Sequence, residues 1–500
     1  MNLKGFEPRP YQVKIASNCI DNNSLVVLPT GLGKTKIAIL VAIEKLNKFQ
    51  NSKVVIVAPT RPLAAQIQKE FQEHTDLEND KIILVTGLIT VDKRKNAYKG
   101  ADIIIGTPQT IDNDLDNEII DPKQISLLIL DEVHRAVKNY AHANVVKKYR
   151  ENNNNARVLG LTASPGSDKK KIDEIVKNLG VSNVEIYSED DLEVKDYVQK
   201  KDIEFVNVAM PVEMKNLSEQ LRSIYKNKIS RLSEFSYLKN KKSINKRDIL
   251  AYQRYLQKEL SQGNTTVFYQ LSLSAQLLKL AYCIEMFETQ GTNSFIAFVD
   301  KMHEDKSKAA KNLLEDPVFM SIFFRTKELV KVGLVHPKLD KLKSILIEYL
   351  KVHKEMRVII FANFRNTTKE LFDLLSTIDG LNPIELVGQK EGLKQSEQIK
   401  RIEDFSEGKY NCLITTSIGE EGLSIKGADL AIFYDQTSMG VRRIQRGGRV
   451  GRVRPGKIIY LITKGTSDES LYWASHYGVK KMKTILTEMK KETSLVDFND

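Results

Sequence analysis

The chain has 500 residues, 41% of them hydrophobic and 28% charged, with 76 Lys and Arg against 64 Asp and Glu for a net charge of +12. That length predicts two or three domains, the apolar content excludes a mainly disordered chain, and the basic excess favours a polyanionic partner. Three cysteines (Cys19, Cys283, Cys412) with no CxxC pair exclude a disulfide scaffold and a structural zinc site, and no apolar run approaches the ~20 residues that span a bilayer.

In chain order, β-branched or Leu-rich runs recur at 25–28, 54–58, 82–86, 103–106, 127–130 and 158–162. Segments of helical periodicity, such as 35–48 and 61–74, separate them. Strands apolar almost throughout are covered on both faces, and their alternation with helices predicts a parallel, doubly wound sheet. The pattern returns after residue 336, with strands expected at 358–361, 384–387, 412–415, 430–434 and 458–462 and helices near 338–352, 367–376 and 394–407.

The segment between reads differently. Residues 204–335 carry Leu, Ile and Tyr at helical spacing, as in Leu217, Leu221 and Ile224, and predict a mostly helical insertion. Residues 205–335 hold 20 Lys and Arg against 13 Asp and Glu, and 221–260 alone hold 11 against 3. Such a stretch is either a solvated helical face or a grip on a phosphate backbone. The expected domains are therefore 1–203, 204–335 and 336–500.

The candidate chemistry begins after the first strand, at Thr30-Gly31-Leu32-Gly33-Lys34-Thr35. Glycines before a helix N-terminus let backbone N–H groups converge on phosphates. Lys34 reaches the outer phosphates and the Thr35 hydroxyl ligates Mg²⁺ in such a loop. Leu28 occupies the first Gly position of the common phosphate-loop pattern. Asp131 and Glu132 follow a second apolar strand, 97 residues after Lys34. Asp131 is placed to hold Mg²⁺ through its waters, and Glu132 to orient or deprotonate the attacking water. His134, next but one after Glu132, is placed to link the phosphate site to the chain beyond it. In the second α/β region, Arg449 and Arg452 are three residues apart and would share a helical face, suited to the charge of a phosphoryl-transfer transition state. Gln445 would hold the γ-phosphate or the water.

Taken in order, Arg9-Pro10-Tyr11-Gln12, the TGLGKT loop, Ala58-Pro59-Thr60-Arg61, Thr107-Pro108, Asp131-Glu132-Val133-His134, Thr162-Ala163-Ser164 and the stretch from Gln445 to Arg452 resemble the signatures of superfamily-two helicases. Glu288-Thr289-Gln290-Gly291, His336-Pro337-Lys338, the stretch Gly419 to Leu423 and Lys464-Gly465-Thr466-Ser467-Asp468 resemble the helicase part of archaeal Hef, a relative of the Fanconi-anaemia M helicase and, more distantly, of Dicer and the RIG-I-like sensors. The resemblance implies two RecA-like domains around a thumb-like insertion for branched DNA, with ATP and Mg²⁺ as cofactors. It assigns Arg9 and Gln12 to adenine recognition, with Phe6 stacking on the base. It places Thr60, Arg61 and Thr107 on the tracked strand from one domain and Asn363, Arg365, Thr416 and Gly422 from the other. Thr162 and Ser164 would couple that grip to the ATP state.

Val133 stands where the DEAH form has Ala, and Gly447 where many Hef sequences have Arg. A chain ending at Asp500 is expected to leave strand cleavage to a separate nuclease, and a sliding clamp is a second partner by analogy. The expected setting is cytoplasmic and nucleoid-associated, since the start lacks the apolar core of a signal peptide. Two other functions share these signatures: a duplex-RNA-stimulated ATPase of the Dicer and RIG-I type, and an ATP-switched clamp that does not unwind.

Overall fold

A computed structural model describes residues 1–137, 140–199, 201–235, 238, 244–388, 395–416, 428–437, 439–447 and 456–496; the side chains of 395, 441, 445 and 491–496 are outside the description. The first half is a seven-stranded sheet of β1 (Ser24–Val27), β2 (Lys53–Val57), β3 (Ile82–Val85), β4 (Ile103–Gly106), β5 (Ile125–Asp131), β6 (Val158–Thr162) and β7 (Asn183–Ile186). Its order is β3-β4-β2-β5-β6-β1-β7, and all its pairs are parallel. Every residue of β1, β4 and β6 is buried, because helices cover both faces. Two apolar clusters result, one on each side of the sheet.

The second half is a six-stranded parallel sheet of β8 (Lys201–Val208), β9 (Val358–Phe361), β10 (Pro383–Leu386), β11 (Cys412–Thr415), β12 (Leu430–Phe433) and β13 (Gly456–Thr463), in the order β10-β11-β9-β12-β13-β8. Its strands sit where the apolar runs predict, with one exception. β8 overlaps the start of the stretch read as helical from residue 204, and it pairs along its whole length with β13. Its sequence, KDIEFVNV, places Asp202, Glu204 and Asn207 among the apolar residues, and only Val206 and Val208 are buried, as an edge strand allows. β7 is short and half polar, and also escapes a search for apolar runs.

The insertion is helical from Val212. Its helices are Val212–Ser233, Lys246–Ser261, Phe268–Glu285, Thr292–Met302, Lys308–Leu314 and Pro317–Lys331, with a π-helical turn at Met286–Gln290. Two cores organise it. A stem cluster around Leu221, Phe287, Phe295 and Phe323 touches Phe364 of the second half. A tip cluster around Leu232, Ile249, Tyr252 and Leu277 lies farther along the bundle. The three cysteines are buried free thiols, and burial pushes Cys19 up to about 12. No described helix is long and apolar enough to cross a membrane.

Candidate active site

Chain reversal in the first sheet leaves β5, β6 and β1 side by side, so the residues after them meet at one edge. In open α/β sheets such a carboxyl-end crevice is where ligands bind. The loop after β1 begins with the Leu28 N–H donating to the Thr162 carbonyl at 3.0 Å, which extends the β1–β6 ladder. Gly31 (φ 86°) and Gly33 (φ 79°) then turn the chain through left-handed backbone. Gly33 is the N-cap of the helix Lys34–Lys48 and offers no side chain to it, so no side chain caps the positive end of the helix dipole. A Cβ on Gly33 would stand 2.5 Å from Gln12 Nε2. Lys34 Nζ lies across the loop, donating to the Leu28 carbonyl at 3.2 Å. Thr30 and Thr35 are half-buried.

The loop is held from behind. Tyr11 Oη and Gln12 Nε2 both donate to the Leu32 carbonyl, at 2.7 and 3.1 Å. Gln12 Oε1 accepts from the Arg9 N–H at 3.0 Å, closing a capping box on the first helix, Pro10–Ile20. The Arg9 guanidinium lies over the Tyr197 ring at 4.6 Å and donates to Tyr11 Oη at 3.2 Å. Phe6 is half-buried, with Lys36 Nζ 4.6 Å from its centroid and the His74 ring edge-on at 5.0 Å.

Asp131 ends β5, and Glu132 follows in left-handed backbone (φ 50°), a conformation that costs a non-glycine residue ~1–3 kcal/mol. Burial, and then the neighbouring Glu132 charge, push the Asp131 carboxyl well above the usual carboxylate range, with Lys34 opposing. A cation beside this carboxylate would reverse that shift, the behaviour of a metal ligand. The Thr35 hydroxyl and the Asp131 carboxylate are oxygen donors of the kind Mg²⁺ takes alongside phosphates and water.

From Glu132 a chain of contacts leaves the site. His134 Nδ1 is 3.3 Å from Glu132 Oε2 and 3.4 Å from Thr162 Oγ1. Thr162 Oγ1 accepts from the Ser164 N–H at 3.1 Å, and Ser164 Oγ donates to Met482 Sδ at 3.0 Å. Met482 belongs to the C-terminal helix Ser467–Val496 of the second half, and with Leu486 it enters the first half's core. Sequence reasoning missed Met482, since nothing in its neighbourhood distinguishes it. The helix Gly440–Gly447 meets the same core through Ile444. Burial pushes the Arg135 pKa down, Glu132 opposes that, and the charge of Arg442 on this helix adds to the depression. Gln445 lies on the same helix, while Arg449, Arg452 and Gly422 lie outside the described residues.

A cavity of about 410 Å³ opens at the ends of β2, β3 and β4. It brings Thr60, Arg61 and Thr107 together with Gly87, Gln109 and Asn113. Thr60 Oγ1 caps the helix Arg61–His74 by accepting from the Leu63 N–H at 3.4 Å, and the Thr107 and Thr110 hydroxyls are 2.9 Å apart. In the second half Arg365 is exposed at the start of its helix. Asn363 faces inward: its Oδ1 accepts from Arg446 Nη2 at 2.7 Å and its Nδ2 donates to the Gln436 carbonyl at 3.4 Å. Thr416 is buried, its N–H donating to the Leu386 carbonyl at 3.3 Å.

Two parallel sheets, with a phosphate-type loop and an acid pair on one and a basic helix of the other packed nearby, define a two-domain motor of the helicase class. Residues 9–172 match the DEAD/DEAH box helicase family, 337–454 the helicase conserved C-terminal domain, and 213–332 a family described as "Putative ATP-dependent RNA helicase, helical bundle". The crystal structure of the Pyrococcus furiosus Hef helicase domain is 38% identical, with a TM-score of 0.71 over 94% of this chain and 98% of that one. A relative from Methanocaldococcus jannaschii, named a putative ATP-dependent RNA helicase, is 36% identical over 97% of this chain and 61% of its own length. The ATP-dependent DNA helicase fml1 of Schizosaccharomyces pombe is 32% identical over 92% of this chain and 57% of its own. The chain belongs to the Hef family of superfamily-two, ATP-dependent helicases. It spans about half to two-thirds of the length of these curated relatives. Domains of this class bind ATP and generally depend on Mg²⁺.

Proposed function

We propose that the chain is an ATP-driven DNA helicase or translocase that acts on branched DNA, such as forks, Holliday junctions and flaps, in repair of replication forks and in recombination. The observation that carries this reading is the run of contacts Glu132–His134–Thr162–Ser164–Met482, which joins the acid pair to a helix of the other half.

In this reading the Gly31–Thr35 loop binds the phosphates, and Tyr11 and Gln12 hold it in shape through Leu32. Arg9, Gln12 and Phe6 receive the base. Thr35 and Asp131 hold Mg²⁺, which when bound draws charge from the β- and γ-phosphates. Glu132 takes the proton of the attacking water, and His134 fixes the orientation of that carboxylate. Gln445, Arg449 and Arg452 complete the site from the opposite wall. Closing of the cleft shifts the Thr162–Ser164 turn against Met482, and opening after hydrolysis releases it, a hinge cycle. The cavity holding Thr60, Arg61 and Thr107 grips the strand's phosphates from the first half. Arg365, Asn363, Thr416 and Gly422 form the second half's side of the track. Contacts of this kind carry little sequence information, so recognition is of structure.

The insertion supplies a further grip. Arg247, Arg254 and Lys258 are exposed on the helix Lys246–Ser261, and spacings of seven and four put them on one face. ATP turnover and strand displacement across fork, junction, flap, linear duplex and duplex RNA test the reading. The expected result is strongest stimulation and displacement with branched DNA. The match of 213–332 to a bundle named for RNA helicases favours the RNA-stimulated reading instead, and turnover stimulated by duplex RNA alone would establish it.

A further inference from the structure

The motifs around Gln290, His336, Asp435 and Asp468 are far apart in sequence and take no part in the ATP site. The fold brings them into one buried cluster where the insertion meets the second half. The π-helical turn Met286–Gln290 is buried at all five positions. Such turns occur mostly as single-turn bulges in α-helices and frequently at functional sites. Its last residue, Gln290, uses both ends of its amide. Its Nε2 donates to Asp435 Oδ1 at 2.6 Å, and its Oε1 accepts from Thr367 Oγ1 at 2.9 Å. The other Asp435 oxygen accepts from the Asn363 N–H. The Asp435 carbonyl accepts from Arg446 Nη1 at 3.1 Å, and Arg446 Nη2 donates to Asn363 Oδ1. Arg446 is fully buried on the helix Gly440–Gly447, its guanidinium carbon 5.3 and 5.7 Å from the centroids of the Phe361 and Phe433 rings, which stack on each other.

A second set of bonds clamps the same junction. Lys338 Nζ is 2.5 Å from Asp468 Oδ2 and donates to the carbonyls of Tyr434 and Thr289 at 2.8 and 3.2 Å. Arg222 of the insertion holds Glu288 with two bonds, at 2.6 and 2.7 Å, and reaches the Gly465 carbonyl at 2.9 Å. An apolar junction could slide. A buried junction whose donors and acceptors are matched cannot shift without stranding a polar group, which costs more than the pairing contributes.

We infer that Gln290 and Asp435 form a positioning joint that locks the orientation of the insertion to the arginine-bearing helix Gly440–Gly447 and to Asn363. Nucleic acid engaged by the insertion thereby sets where that helix stands against the ATP cleft. The second step rests on the helicase reading above; the joint itself does not. Both residues act through the groups they hold, Thr367 and Asn363, and so are positioning residues.

The test exchanges the polarity of the pair. Gln290→Glu sets two carboxyl groups against each other. Asp435→Asn removes an acceptor from between two donors. The double variant restores the set: Glu accepts from the new amide and from Thr367, and the new amide oxygen accepts from the Asn363 N–H. Each single variant should lose at least ten-fold in fork-stimulated ATP turnover, with amide hydrogen exchange over 440–447 at least ten-fold faster. The double variant should recover both to within about three-fold. Leu217→Ala, in the stem core, serves as a control of comparable thermal destabilisation and should keep its stimulation. A double variant no better than the worse single, or an equal loss in Leu217→Ala, would overturn the joint. If the parent shows no stimulation by DNA, the helicase reading fails, and exchange over 440–447 in the three variants decides the joint alone.

Discussion

Two seams cross this molecule, and they are built in opposite ways. Between the insertion and the second half, Gln290, Asp435 and Lys338 are buried and each is bonded to a fixed partner. Between the two α/β halves, Met482, Leu486 and Ile444 make an apolar contact. The ion pairs at its rim, Lys483–Asp190 and Lys490–Asp191, are 3.5 Å long with largely exposed cationic side chains. Exposed pairs of that kind contribute ~0–1 kcal/mol each, whereas breaking one partner of a buried set costs ~3–5 kcal/mol. The apolar seam can slip and the polar one cannot. In the proposed cycle the molecule moves as two bodies: the first half alone, and the second half carrying the insertion.

The largest expected effect tests the mobile seam. Glu132→Gln should reduce ATP turnover by ~10²–10⁴, the range for losing a general base, while ATP binding persists. Equal rates for variant and parent, measured by phosphate release, would remove the base from Glu132 and the motor stroke from that seam. Next comes the cargo of the rigid seam. Changing Arg247, Arg254 and Lys258 together to Gln should lower the slope of log affinity for forked DNA against log salt by ~2–3, about 0.9 per phosphate contact. An unchanged slope in a filter-binding titration would show that this face holds no backbone.

A smaller effect separates the rigid seam's chemistry from its packing. His336 is fully buried, with Nε2 3.0 Å from the Glu288 carbonyl oxygen and Nδ1 accepting from the Lys338 N–H at 3.3 Å. Burial, and then the Lys338 charge, lower its pKa to about 3. The unfolded chain thus binds this proton first, and stability present above about pH 6.5 is lost as pH falls. Between pH 7 and pH 5 the loss should be about 2 kcal/mol. Asp435, raised to about 6 by burial, works in the other direction, so the quantity to measure is the parent's stability relative to His336→Asn at each pH. A difference that does not change with pH would show that His336 is not held neutral. The smallest effect belongs to the rim. Lys483→Ala with Lys490→Ala should change stability by no more than ~1–2 kcal/mol in a denaturant titration.

The same contrast explains what was legible in the sequence. Strands covered on both faces announce themselves, and the runs around Val54, Ile103, Val158 and Ile359 lie in the strands expected. β7 and β8 do not, because edge strands mix Glu185, Asp202 and Glu204 with apolar residues and so lose the signal. The loop from Thr30 to Thr35 is legible because phosphate binding needs particular residues at fixed local spacing. The joint is not, because Gln290 and Asp435 are 145 residues apart and each is an ordinary polar residue until the fold pairs them. For Asn363 the sequence offers a family resemblance that assigns it to the nucleic-acid track, and its bonds to Arg446 and Gln436 appear only in the fold.

β8 has one more consequence, for how the chain is made. Among the described residues it is the neighbour of β13 on that side, yet about 250 residues separate the end of one from the start of the other. At ~5–20 residues per second a ribosome takes about 12–50 s to supply the missing partner. During that interval Ile203 and Phe205 lie on an unpaired strand beside a first half that already has all its own segments. Synthesis of this protein therefore includes a wait in which a nascent edge is open to the wrong partner, and chaperone engagement should concentrate there.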